Sequence, residues 1–183
     1  MTVRLATILT SLLICSGMLT SAEANVSLPH KHYSSHGIHF DYPDNWVITS
    51  EQVSPSEDSH LSIIIEGPDQ SLAIIETTPE ASSLRDFAQV FSRGVVKTVT
   101  AARARVQEVK PALDEISSTK IKERLTVSAD KNTRTVFSIT YRMIKGSKKT
   151  AYLITQSCRE DQESTRPGFE MIDRSLKIDP GSE

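Results

Sequence analysis

The feature of this sequence that most constrains its fold is a single stretch of helical periodicity enclosed by stretches of strand periodicity. Between residues 84 and 98, side chains suited to one buried side of a helix recur at spacings of three and four. They are Leu84, Phe87, Phe91, Val95 and Thr98. Ser83, followed three residues later by Asp86, is typical of a helix start. We interpret the phenylalanines as core residues rather than as a ligand site.

Strand patterns precede this helix. Apolar and polar residues alternate from Ile38 to Tyr42, which is the period of a half-buried strand, and Pro43 ends the pattern. Two apolar runs follow, at residues 61–66 and 72–77. The Gly67-Pro68-Asp69 segment between them contains turn residues, so the two runs are predicted to form a hairpin.

Strand patterns also follow the helix. They cover residues 105–109, 119–127, 133–144 and 151–157. Because the loops between the last three are short and polar, we expect these three strands to form an antiparallel meander. A second helix is predicted near residues 167–174, with its proline in the first turn. This order of elements predicts an α+β domain around a mainly antiparallel sheet, with helices covering its apolar faces.

The N-terminus has the pattern of a cleavable signal peptide over residues 1–24. Arg4 gives a positive charge, and the apolar run Leu5–Cys15 is too short to cross a membrane. Ala22-Glu23-Ala24 places small side chains where a signal peptidase would cut, before Asn25. The sequence therefore predicts a periplasmic or secreted protein without stable membrane insertion after cleavage. A retained anchor, and a lipoprotein lipidated at Cys15, remain alternatives.

Composition limits the mature protein further. Removal of 24 of the 183 residues leaves 159, enough for one domain, with a net charge of −2. This charge does not favour a nucleic-acid partner. We expect a flexible lead-in over residues 25–33, one domain over residues 34–178 and a polar tail over residues 179–183. Cys158 is the single cysteine of the mature chain, so no intramolecular disulfide is expected.

Two segments resemble a known family. The opening segment contains Gly37-Ile38, then Tyr42-Pro43, then Trp46, and the closing segment is Phe169–Ile178. Together with the order of elements between them, they resemble PsbP-like domains, a family that includes DcrB-like bacterial envelope proteins. The resemblance implies an α/β/α sandwich with a central, mainly antiparallel sheet, here in a secreted bacterial member. It also implies a non-catalytic role, and Trp46 is expected in the core.

All five histidines fall between residues 30 and 60, and four of them lie within residues 30–39. Imidazole is a common ligand for zinc, copper and nickel. His39 and Asp41 are predicted on the outward face of one strand, with His36 just before it. These three residues, with the nearby His30 and His32, are a candidate site for a divalent transition metal. The alternative is a set of independent, solvated histidines, because the spacings are irregular.

Sequence motifs of hydrolases, phosphate loops and dinucleotide sites are absent. Glu66 and Glu76 end strands of one hairpin and are interpreted as solvated strand ends. The sequence thus favours an exported, non-catalytic accessory or binding module of the cell envelope, a monomer or weak dimer, without a cofactor. Its partner would be a protein or a small apolar ligand, at the exposed face of the sheet or in a cleft beside the first helix. A metal-binding accessory protein and an enzyme with an unrecognised site remain alternatives.

Overall fold

The computed structural model describes residues 29–54, 60–79, 82–102, 108–128 and 134–180. The predicted signal peptide and the start of the predicted lead-in lie outside these residues. Ten strands and two α-helices occur in the described part of the chain. In chain order they are β1 His30–Ser35, β2 Ile38–Pro43, β3 Val47–Val53, β4 Leu61–Glu66, β5 Leu72–Thr78, α1 Leu84–Ala102, β6 Glu108–Ser117, β7 Lys120–Ser128, β8 Arg134–Lys145, β9 Thr150–Cys158, α2 Gln162–Ser175 and β10 Lys177–Ile178.

Seven strands form the central sheet, in the order β3-β4-β5-β9-β8-β7-β6, and every neighbouring pair is antiparallel. The predicted hairpin is β4 with β5, and the predicted meander is β7, β8 and β9. The three remaining strands form a small antiparallel sheet in the order β1-β2-β10. The prediction of a mainly antiparallel α+β fold is confirmed.

One face of the central sheet, here named the α1 face, packs against α1. The helix begins as predicted, because the hydroxyl of Ser83 accepts a hydrogen bond from the backbone N–H of Asp86 at 3.1 Å. Its apolar stripe packs on buried side chains of the sheet, including Ile139 and Tyr141. The ring of Phe87 stacks on that of Tyr152, with centroids 3.9 Å apart. The aromatic side chains of α1 are therefore core residues.

The opposite face, here named the α2 face, is covered by α2 and the small sheet over only part of its area. A second core lies there, made of residues from both sheets and α2. Trp46 is central to it and 2% exposed. An added Cβ at Gly168 of α2 would lie 2.5 Å from the Trp46 ring, so the glycine allows the helix to approach. The layers α1, central sheet, and α2 with the small sheet form the expected sandwich.

Three elements differ from their predicted bounds. Residues 30–33, expected in a flexible lead-in, lie in β1, because backbone pairing with β2 and the buried ring of Tyr33 on Phe40 hold them. The helix α2 begins at Gln162 rather than near Pro167, which lies inside it. The strand predicted at 105–109 is described only from residue 108, and β6 continues to Ser117. As an edge strand, β6 accommodates Pro111, which cannot donate to a neighbouring strand.

Candidate binding site

The part of the α2 face that α2 leaves uncovered is a polar floor. In β7, β8 and β9, apolar side chains turn toward α1 while the alternate residues face the other way. Lys120 is paired with Arg142, and Lys122 with Thr140. Thr140 is in turn paired with Thr155 of β9. Cross-strand partners share a face, so these ammonium, guanidinium and hydroxyl groups lie side by side.

The helix α2 forms a wall beside this floor. Floor and wall enclose an open cavity of about 360 Å³, a volume within the range of small-molecule sites. Its lining is mostly polar, and Leu153 and Phe169 supply the apolar part. The full lining is Lys120, Lys122, Ser138, Thr140, Arg142, Leu153, Thr155, Ser157, Gln162, Glu163, Arg166, Phe169, Glu170 and Asp173.

The position of α2 explains why the cavity exists. Ile172 of α2 and Leu176, which directly follows the helix, are buried in the core that contains Trp46. The helix therefore packs over β2 and along β9 and does not extend across β7. Of the alternate residues of β7, Lys122 and Arg124 remain exposed and Lys120 half-exposed, because α2 does not cover them. The cavity thus exists because the apolar residues of α2 pack in the core with Trp46 and hold the helix away from β7.

Each acidic side chain of the cavity lining forms an ion pair with an arginine. The guanidinium of Arg142 donates to both the side-chain carboxylate and the backbone carbonyl of Asp173, which joins the floor to α2. On the helix itself, Arg166 pairs with Glu163 at 3.0 Å. Glu170 accepts from Arg174 at 2.8 Å. Among the described residues, neither Lys120 nor Lys122 has a carboxylate within ion-pair distance.

The location and the lining of this site can be compared with those expected from the sequence. The exposed face of the sheet is one of the two predicted locations, and the cavity is there. A cleft beside the first helix stays a prediction; the apolar side chains of α1 pack directly on the sheet. The lining is also polar rather than apolar, since alternation in β7 and β8 leaves lysine, arginine, serine and threonine on the open side.

The structure brings together only part of the candidate metal site. His39 and Asp41 lie on the outer side of the small sheet, where Asp41 contacts His32 at 2.8 Å and His39 contacts Asp179 at 2.9 Å. His36 contacts Glu51 of β3 at 3.3 Å instead. The described residues contain no group of three or more His, Cys, Asp or Glu side chains placed to hold a metal ion. A metal site at His36, His39 and Asp41 stays a prediction.

The two hairpin carboxylates are not a catalytic pair. Glu66 is opposite Leu72 and Glu76 is opposite Ser62, so they lie at different ends of the hairpin, about 13 Å apart along the strand. Paired carboxylates of glycosidases lie within about 5–9.5 Å. The interpretation of Glu76 as a solvated strand end is wrong, because it is buried and accepts from Ser62 at 2.8 Å. Burial raises the pKa of its carboxyl above the ordinary value, against the opposing effects of Ser62 and His60.

A buried carboxylate on the α1 face was not predicted from the sequence. Glu123 is 2% exposed and accepts hydrogen bonds of 2.5 Å from the hydroxyls of Ser92 on α1 and Tyr141 on β8. Burial, together with the neighbouring Glu123 carboxylate, raises the pKa of the Tyr141 hydroxyl. The sequence did carry a signal, since Glu123 falls between Ile121 and Leu125 on the inward positions of β7. The arrangement joins α1 to the sheet and does not open into the cavity.

No helix among the described residues combines the length and the apolar character needed to span a membrane. Cys158 is buried at the end of β9.

The chain matches no family model and no curated protein sequence. Among solved structures it is similar to cyanobacterial PsbP from Synechocystis sp. PCC 6803, with 16% identity and a TM-score of 0.45, over 88% of this chain and 99% of that one. It is also similar to the Ran-binding protein Mog1p of Saccharomyces cerevisiae, with 10% identity and a TM-score of 0.46, over 83% and 96% of the two chains. A third is LpqN, involved in cell envelope biogenesis of Mycobacterium tuberculosis, with 12% identity and a TM-score of 0.38, over 83% and 90%. The structure of a PsbP is thus among those that this chain resembles, as the sequence predicts.

Proposed function

We propose that this chain is an exported, non-catalytic accessory module of the cell envelope, periplasmic or secreted, which acts as a monomer or weak dimer. It binds a protein partner or a small ligand in the cavity between α2 and the open part of the sheet. The observation that carries this proposal is the cavity itself: an open, mostly polar space of about 360 Å³ on the central sheet.

The chemistry of the lining supports binding rather than catalysis. The lining residues include no histidine or cysteine that could act as a general base or nucleophile beside the serine and threonine hydroxyls. Asp173 and Glu163 are each engaged by an arginine. An activated nucleophile needs a base within hydrogen-bond reach, and the described lining offers none for its hydroxyls.

Blocking the cavity tests the proposal. Thr140→Trp places a large ring on the cavity floor, and Thr49→Trp is the matched control because Thr49 lies on β3, outside the cavity lining. Tagged wild type and both variants would be recovered from envelope and culture fractions and analysed by native mass spectrometry. We expect a bound protein or small molecule on the wild type and on the control variant, and its loss from Thr140→Trp. Equal recovery with Thr140→Trp, or no bound species on the wild type, would contradict a role for this cavity.

Export is tested separately. The expected mature protein begins at Asn25, which N-terminal sequencing of the exported form would show. Leu12→Arg in the apolar run should block export, and Cys15→Ser should leave it unchanged. An exported form that retains Met1, or one acylated at Cys15, would replace this part of the proposal with an anchored protein.

A second candidate function is transition-metal binding by the His30–His39 region. One observation favours it: His32, His39 and Asp41 share the outer side of the small sheet, with the two imidazole centroids 6.3 Å apart. Calorimetric titration of zinc should then give a heat that His39→Ala abolishes. His60→Ala is the matched control, because His60 lies outside this region and contacts Glu76 on β5 at 3.4 Å. Absence of a saturable heat in the wild type rejects the metal site.

A further inference from the structure

We infer that the α2 cavity binds the phosphate group of a small anionic ligand, with Lys120 and Lys122 as its main cationic contacts. This inference rests on the proposed function, since it names the ligand class of the same site. It is carried by three features of the cavity: two lysines that form no ion pair with a carboxylate of the described residues, a set of hydroxyls without a hydrogen-bond partner in the same part of the chain, and a volume larger than the phosphate group needs.

The two lysines lie on one face of one strand. Lys120 and Lys122 are separated by Ile121, which is buried toward α1, so their Cα atoms are about 7 Å apart on the open side. Both side chains are long enough to converge on one group between them. Asp114 is the cross-strand partner of Lys122, yet the two side chains form no ion pair. The positive charge of both lysines therefore faces the cavity.

The other charges of the cavity cancel. Arg142 is bound to Asp173, and Arg166 to Glu163. Glu170 is neutralised from outside the lining by Arg174. What is left without a counter-charge in the described site is the pair of lysines, a local excess of two positive charges. A dianionic group complements that excess better than a singly charged one.

Four hydroxyls extend the donor set. On β8 and β9 the residue pairs are Ser138 with Ser157 and Thr140 with Thr155, and all four residues line the cavity. None of these hydroxyls hydrogen-bonds to another described residue. Hydroxyl and ammonium donors side by side can serve several acceptor oxygens at once. A phosphate offers three or more such oxygens and a carboxylate offers two, so the donor set favours phosphate.

The cavity also has room beyond the phosphate. Its volume of about 360 Å³ is many times the roughly 30 Å³ that one water molecule occupies in the liquid. Leu153 and the half-buried ring of Phe169 provide an apolar surface in the same cavity. A phosphate carrying an organic group fits this combination. Its source is either a soluble phosphate ester or the headgroup of a lipid.

The test is titration of the purified mature protein with inorganic phosphate, with glycerol 3-phosphate, and with phosphatidylcholine vesicles that contain or lack phosphatidic acid. Calorimetry follows the soluble probes and co-sedimentation follows the vesicles. We expect saturable binding of at least one phosphate probe. The double variant Lys120→Gln/Lys122→Gln should weaken it about tenfold or more, because each lysine lost removes a charged hydrogen bond. Lys177→Gln, on β10 and outside the cavity lining, is the matched control and should bind like the wild type.

The outcomes separate the sources and the proposals. Binding of glycerol 3-phosphate supports a soluble ester, and binding confined to vesicles with phosphatidic acid supports a lipid headgroup. No saturable binding of any probe, or equal loss in Lys177→Gln, overturns the phosphate inference. If the probes fail while Thr140→Trp still loses its envelope partner, the proposed function stands without its phosphate ligand. Far-UV circular dichroism of the double variant verifies that it is folded.

Discussion

The two faces of the central sheet are built from the same strands but are covered by helices to different extents. Along β8, the inward residues Phe137, Ile139 and Tyr141 are buried under α1. Their neighbours Ser138 and Thr140 line an open cavity on the other side. The α1 face is covered by a helix whose apolar stripe runs across the sheet. The α2 face is covered only where Trp46 and Gly168 hold α2.

The stability of the fold comes mainly from the covered α1 face, whereas the α2 face leaves surface available for binding. A fully covered face contributes apolar burial and a single packing solution. A half-covered face leaves an open floor of strands with a helix at one side, which is the geometry of a binding site.

The largest effect is expected at Trp46, which defines the covered part of the α2 face. Trp46 is 2% exposed and meets the ring of Phe169 edge-on, with centroids 5.1 Å apart. Trp46→Ala should therefore lower the free energy of unfolding by about 3–5 kcal/mol. Urea unfolding followed by far-UV circular dichroism measures it. Val47→Ala is the control, because Val47 is 56% exposed. Similar small losses for both variants would mean that α2 is not held by this core.

Two neighbouring residues of β8 compare the faces directly. Ile139 is fully buried on the α1 face, whereas Thr140 lines the cavity. Ile139→Ala should cost about 2–5 kcal/mol. Thr140→Ala should change the free energy of unfolding by no more than about 0.5 kcal/mol, as expected of a partly exposed position. Equal costs at the two positions would show that the α2 face is packed there and has no open floor.

The buried carboxylate of the α1 face gives an intermediate effect. Tyr141→Phe removes one of the two hydroxyl donors that Glu123 accepts from, and a hydrogen bond to a charged group contributes about 1.5–3 kcal/mol. Thermal and urea unfolding should both register the loss. Tyr42→Phe is the control, since no hydrogen bond of the Tyr42 hydroxyl is found among the described residues. If both variants are as stable as the wild type, Glu123 obtains its donors elsewhere.

The smallest effect concerns pH at the rim of the α1 face. Because burial raises the pKa of Glu76 above its ordinary value of 4.5, the folded protein binds the proton more tightly than the unfolded chain. Stability contributed by the protonated carboxyl is complete below about pH 4.5 and is lost as the pH rises through the folded-state pKa. Glu76→Gln should thus gain stability relative to the wild type between pH 4 and pH 7, on the order of 2–4 °C in Tm. A difference that does not vary with pH would contradict the direction of the shift.

The sequence predicts those parts of the fold in which the spacing of apolar residues marks a buried face. The alternation along β8 and the helical spacing from Leu84 onward each reflect a mostly buried face. The segment His30–Ser35 was missed as a strand because Tyr33 is its one buried residue and the rest of its pattern is polar. The start of α2 is not predicted for a similar reason, since its first turn, from Gln162 to Thr165, is polar.

The binding site was less predictable than the fold. Lys120 and Lys122 alternate with inward residues, so the sequence does show that they lie on one open face. It does not show that α2 stops short of β7, because that depends on the contact between Gly168 and Trp46, more than 100 residues apart in the chain. A cavity that arises from the incomplete cover of a sheet has no local motif.

β2 lies between β1 and β10, so the small sheet is complete only when the C-terminal end of the domain has joined it. Ile178 is opposite Ile38, the backbone N–H of Asp179 donates to Gly37 at 3.0 Å, and His39 contacts Asp179 across 140 residues of chain. Contacts of such long sequence separation form late in folding. β2 therefore lacks its second neighbour until β10 has joined it. The small sheet is the last closure of the domain, because its third strand comes from the C-terminal end of the described chain.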